Sequence, residues 1–279
     1  MMVLSKSVSV TLKRLFHSPL TVIALILLIS RYVFDVVGPD NWMDRYIENG
    51  WTTQFYNDLT CKIYMYYCPV AFSVIVAADY IQDSKNRFSG LVRVSAADKK
   101  QLFFGRICAY MAVGFIITFI GVYGEFAGYC LRSGFSFAKG YDAAGVAARL
   151  FIHYLSFSVT MVPFYTAFAI FFTSLFKKAT GGIIISVVYI MIIRLIDMHP
   201  SNMNVYDNPL GAFVPFANYF YPVHGAPFAI ETYLYIQDNI EAQGVAGVGF
   251  EHFAIGYLCV TLCAVLMMIA SYHLEKRCD

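Results

Sequence analysis

The sequence predicts an all-α integral membrane protein built as a bundle of six transmembrane helices. Three observations carry that expectation. Six apolar stretches of nearly equal length recur along the 279 residues. Hydrophobic residues make up 59% of the chain and charged residues only 14%, which leaves too little polar surface for a soluble domain. The lysines and arginines gather in alternate gaps between the apolar stretches. A helix rises about 1.5 Å per residue, so roughly 20 apolar residues cross the hydrocarbon layer with every backbone hydrogen bond satisfied internally.

The six spans fall at about residues 20–37, 60–81, 104–128, 150–175, 180–197 and 252–272. They account for the chain as a single domain over residues 1–279, with no room for a separate catalytic domain of ordinary size. Lys6, Lys13 and Arg14 precede the first span. Lys85, Arg87, Arg93, Lys99, Lys100 and Arg106 separate the second and third; Lys177 and Lys178 separate the fourth and fifth; Lys276 and Arg277 follow the sixth. These positions hold 13 of the 20 basic residues, whereas residues 198–251 hold none. By the positive-inside rule both termini are cytoplasmic and the long last loop faces outward. Arg45, Arg132, Lys139 and Arg149 in outer gaps make the bias incomplete.

The run from Leu20 follows a basic stretch, as a signal peptide would, but it continues to Val37 with no small-x-small cleavage pattern after it. It is expected to remain as the first span. Its preface, residues 3–18, mixes Val3, Leu4, Val8, Val10, Leu12, Leu15 and Phe16 with Lys6, Lys13, Arg14 and His17. That pattern suits an interfacial helix lying along the headgroups before Pro19 turns the chain inward. An ordinary basic flank that only sets orientation fits it equally.

Chemistry-bearing motifs are scarce. There is no GxxxxGKS/T phosphate loop, no HExxH and no GxSxG elbow, so no catalytic residue is assigned and ATP hydrolysis through a P-loop is excluded for this chain. The seven cysteines, among them Cys61, Cys68, Cys108, Cys130 and Cys278, form no CxxC pair or Cys/His cluster. Cys259 and Cys263 share a helix face, but as small apolar fillers, and no metal site is expected. Gly181 and Gly182 open the fifth span, where paired glycines permit close helix packing. Pro163 is expected to kink the fourth.

Two connections carry more information. Residues 82–106 read QDSKNRFSGLVRVSAADKKQLFFGR, too charged to enter lipid and too long for a turn. Within them Phe88, Leu91 and Val92 sit three and four apart, so a short helix would present one apolar face, either to a soluble partner or to the mouth of the bundle. Residues 198–251 are divided by Pro200, Pro209, Pro215, Pro222 and Pro227. PLGAFVPFANYF and APFAIETYLYI within them are aromatic-rich yet too short to span, as suits helices at or dipping into the outer leaflet.

With these features in place, nearly the whole chain resembles the membrane-spanning subunit of an ATP-binding-cassette exporter of the type-2 permease class. The resemblance rests on the opening TLKRLFHSPLTVIALILL, the second-span exit AADYIQDSKNRFSGLVRVSAADKKQLFFGRI, the short connection FFTSLFKKATGG, and the aromatic loop before a final span ending SYHLEKR. It implies an interfacial connecting helix at residues 5–17 and a coupling helix within residues 86–100 that docks on the ATPase subunit through Asn86, Phe88, Leu91, Val92, Asp98 and Lys99. It also implies re-entrant helices before the last span. The cofactors it implies, ATP and Mg, would be bound by the partner ATPase, not by this chain. The implied partners are cytoplasmic ABC ATPase subunits, a second permease as homodimer or sister subunit, and the lipid bilayer, with no role for nucleic acid. The implied place is a bacterial plasma membrane.

Charged residues inside spans are the remaining candidates, because one at mid-bilayer costs roughly 2.5–3.5 kcal/mol on insertion scales. Glu125 lies toward the outer end of the third span; Arg194 and Asp197 lie one turn apart near the outer end of the fifth; Arg31 and Asp35 share a face of the first. Snorkelling and local ion pairing account for such positions near helix ends. The sharper expectation is that Glu125, Arg194 and Asp197 line an outer vestibule touched by substrate. A stand-alone ion-coupled carrier is the alternative function; it would call for acidic or histidine residues deep in the bundle and repeated halves.

Overall fold

A computed structural model describes residues 2–37, 66–85, 99–132, 143–198 and 250–277. These residues form seven helices and no strand. They are α1 (Met2–Phe16), α2 (Pro19–Val37), α3 (Cys68–Lys85), α4 (Lys99–Arg132), α5 (Ala143–Phe176), α6 (Ala179–Met198) and α7 (Phe250–Arg277). Helices α2 to α7 overlap the six expected apolar stretches, although residues 60–65 of the second lie outside the described residues. Among the described residues three stretches are long and apolar enough to cross a membrane: Lys100–Gly128, Phe157–Phe176 and Leu258–Glu275. The pair Ser5–Phe16 and Pro19–Ser30, bent by 60°, qualifies together as a fourth; Cys68–Gln82 and Ala179–Ile192 are shorter apolar helices.

The bend between α1 and α2 follows from local chemistry. The His17 amide donates to the Lys13 carbonyl at 3.2 Å and the Ser18 amide to the Leu15 carbonyl at 3.1 Å, closing α1, while His17 Nδ1 lies 2.7 Å from the Lys13 carbonyl. Pro19 cannot donate a backbone hydrogen bond, so it ends the first ladder and opens the second at the position where its missing N–H costs nothing. The Val22 amide then donates to the Ser18 carbonyl at 3.2 Å. On α1, Thr11 and Leu15 are buried and Ser5, Lys6, Ser9, Val10, Lys13 and Phe16 are exposed. The buried side packs on α4, where the Ser7 hydroxyl donates to the Leu102 carbonyl at 3.4 Å.

Helix α5 is the centre of the bundle and packs against α3, α4, α6 and α7. Its sequence is apolar nearly all round; the sides toward these neighbours are buried, while Phe151, Leu155 and Val159 form an exposed apolar line. Phe157, Phe164 and Tyr165 are among the largest fully buried side chains of the protein, together with Tyr110 of α4 and Leu15 of α1. Pro163 is accommodated inside α5, which continues as one helix to Phe176. Aromatic contacts fill the seam with α6: Tyr189 lies 4.7 Å from Phe168 and 5.8 Å from Phe164 between ring centroids, within the range of favourable ring pairing.

Glycines set two close approaches. A Cβ on Gly114 would lie 2.7 Å from Val162 Cγ1 and 2.8 Å from Phe72 Cζ, so α4 meets α5 and α3 at this point only without a side chain. A Cβ on Gly182 would overlap the Thr173 hydroxyl and come within 3.2 Å of the Ala169 carbonyl, so Gly182 lets α6 lie against α5, as expected of that glycine pair. Between these helices Lys177 takes a left-handed backbone conformation, φ 53°.

The outward faces are apolar. Val22, Ile23, Ile26, Leu27 and Ile29 of α2, Ile184, Val188 and Ile192 of α6, and Leu258, Leu262, Leu266 and Ile269 of α7 are exposed. Stripes of this kind, three and four residues apart, are the reverse of a water-soluble surface and match a hydrocarbon surround.

Candidate functional site

The charged groups converge at one end of the bundle, where α3 finishes and α4 begins. Arg14 of α1 forks onto Asp79 of α3: Nε donates to Oδ1 and Nη2 to Oδ2, both at 2.7 Å. The fully buried Tyr110 of α4 donates its hydroxyl to the same Oδ2 at 2.8 Å. Asp79, 5% exposed, thus accepts three hydrogen bonds, two of them from a cation.

A second constellation lies beside the first. Arg106 of α4 donates through Nη2 to Glu275 Oε1 of α7, and the Tyr80 hydroxyl of α3 donates to Glu275 Oε2 at 3.1 Å. Ser174 near the end of α5 donates to the Tyr80 oxygen at 3.2 Å. The Arg106 guanidinium lies 5.3 Å from the Tyr80 ring centroid and 6.0 Å from that of Phe103, which packs on Tyr272 of α7 at 5.5 Å. A cation over aromatic faces, with its carboxylate partner on another helix, keeps its charge compensated away from water.

The two constellations share their helices. Neighbouring residues of α3 serve one each, Asp79 the first and Tyr80 the second. On α4 the division recurs one turn apart, Arg106 serving the second and Tyr110 the first. Two cations and two carboxylates leave no net charge. The arrangement is suited to holding helices in a fixed relation, and no group of three metal-ligating side chains occurs among the described residues.

Of the expected coupling residues, Asn86, Phe88, Leu91, Val92 and Asp98 lie outside the described residues, and Lys99 is the first residue of α4. The outer loop expected at residues 198–251 also lies outside them, apart from the ends of α6 and α7. Arg194 and Asp197 fall on the last part of α6, and Arg31 and Asp35 on the last part of α2. Glu125 is on α4 and only 2% exposed. It faces the protein interior. Cys68 and Cys130 are buried, and the five described cysteines are free thiols.

In the sequence Asp79 and Tyr80 stand only as part of a span exit and Arg106 as one more loop charge. An Asp-Tyr pair inside an otherwise apolar run, and an Arg and a Tyr four apart at the start of the next, were the available signals. No family model matches the chain, and no curated protein matches it.

Proposed function

We propose that this chain is the membrane-spanning permease subunit of an ATP-driven ABC exporter of the type-2 class, taking its energy from separate ATPase subunits that bind ATP and Mg. Six spans, cytoplasmic termini, a coupling helix at residues 86–100 and re-entrant helices in residues 198–251 complete the arrangement in a bacterial plasma membrane. Two such bundles, as a homodimer or with a sister permease, enclose the path. The cargo class is a peptide, lipid or small amphipathic compound, and the chain itself is not an enzyme.

The observation that carries this reading is the junction of α1 with the flanks of the 86–98 connection. An amphipathic helix bends by 60° into an apolar one and is bolted through Arg14 to the helix that precedes the connection. A connection meant only to join two spans needs no such support, whereas one that receives force does.

A second reading, the ion-coupled carrier, draws on the buried Glu125 and Asp79. It is weakened by Arg14, which neutralises Asp79 directly. Purification of the tagged full-length chain in mild detergent separates the two. The exporter predicts a stoichiometric companion that contains a P-loop and hydrolyses ATP. A chain that purifies alone and dissipates an imposed proton gradient in nucleotide-free liposomes overturns it in favour of the carrier.

A further inference from the structure

The charged network holds more than one helix pair, and its position relative to the 86–98 connection gives it a direction. Asp79 stands six residues before the end of α3 at Lys85, and Arg106 seven residues after the start of α4 at Lys99. At the helical rise both grips therefore lie roughly 10 Å from the two helix ends, at matching depth. A helix is stiff over that length, so a displacement applied at either end arrives at the grip undiminished.

From the grips the bonds lead outward to helices that are not neighbours of the connection in sequence. Asp79 leads to α1 through Arg14, and Arg106 leads to α7 through Glu275. The cross-ties Tyr110 to Asp79 and Tyr80 to Glu275 make α3 and α4 share both loads. Apolar contacts of equal area would let helices slide past one another, and a buried ion pair adds little net stability over such contacts. What the two-pronged Arg14–Asp79 bond adds is a fixed distance and direction, and on Glu275 the two carboxylate oxygens are held separately, one by Arg106 and one by Tyr80.

We propose that Arg14, Asp79, Arg106 and Glu275 form a transmission clamp: positioning residues that carry displacement of the α3–α4 ends to the first helix and to the last. The proposal rests on the exporter reading for the source of the displacement. The clamp itself is a property of this chain.

Hydrogen exchange on the full-length chain in lipid nanodiscs tests it in two arms. In the first, without nucleotide, Arg106→Gln speeds amide exchange in the last turns of α7 about tenfold and leaves α1 unchanged, while Asp79→Asn does the reverse. Exchanging the charges, Arg106→Glu with Glu275→Arg, brings α7 back toward the parent. In the second arm, the chain purified with its ATPase is trapped with ATP and orthovanadate. The parent then changes its exchange in α3, α4, α1 and α7 together; Arg106→Gln keeps the response in α3 and α4 and loses it in α7. A residue that merely supported packing would loosen α7 without cutting that response. A full α7 response in Arg106→Gln overturns the clamp. If no ATPase accompanies the chain, the exporter reading fails by itself, and the first arm still decides: exchange in α1 and α7 that ignores both substitutions overturns the clamp.

Discussion

Arg14 and Asp79 are unequal partners, and the inequality is measurable. The Asp79 side chain is 5% exposed and the Arg14 side chain 27%. Replacing Arg14 with Met removes both charge-assisted donors and leaves a buried carboxylate with Tyr110 as its remaining partner in this constellation. Breaking a buried pair in this way costs roughly 3–5 kcal/mol. Replacing Asp79 with Asn removes the charge but keeps an acceptor for Arg14, whose guanidinium is partly hydrated already, and the cost falls to about 1–3 kcal/mol. The double replacement Arg14→Met with Asp79→Leu leaves no buried charge at this pair and recovers part of the loss, because a packed apolar pair is often as stable as the ion pair it replaces, while the Tyr110 hydroxyl is left without its acceptor. Denaturant titration of the purified full-length chain in bicelles, followed by circular dichroism, gives the three values. Equal costs for Arg14→Met and Asp79→Asn, or a double variant as unstable as the sum of the singles, would refute the reasoning.

Gly182→Ala should cost about 1–3 kcal/mol from the clash with Thr173 and the Ala169 carbonyl, and Thr173→Ala should return part of it; the same titration reads both. Lys177→Gly should stabilise by roughly 0.5–1 kcal/mol, because glycine adopts the left-handed turn after α5 without the side-chain penalty, and a lower midpoint would contradict that account. Glu125→Gln and Arg194→Gln should each lower export in cells while expression holds; unchanged export takes that residue out of the substrate path.

Much of the helical layout was legible because lipid imposes a simple rule: a spanning helix must be apolar over a fixed length. The runs at 104–128, 150–175 and 252–272 obey it, and long helices lie there. A helix in the preface was legible from its mix of apolar and basic residues, and Pro19 marks the bend; which side it buries was not, since Val10 and Phe16 are exposed where Thr11 and Leu15 are buried. The charge network was not legible in the same way. Arg106 reads as a loop cation until Glu275, 169 positions later, is brought beside it. Periodicity reports which face of one helix is apolar, and it carries no information on which distant helix supplies the countercharge. Glu125 shows the same limit: its depth along the helix was readable, but its inward direction depends on where α4 packs.

The long reach of the Arg106–Glu275 bond bears on biogenesis. Arg14 is already made when Asp79 emerges, so that pair can close early. Arg106 waits for the countercharge until 169 further residues have been polymerised, roughly 10–30 s at ordinary ribosomal speeds. Until then the cation near the head of α4 lacks its carboxylate on α7. A prematurely stopped polypeptide would never acquire that carboxylate, so the last helix has to be made before the bundle is tied at both its first and its final segment.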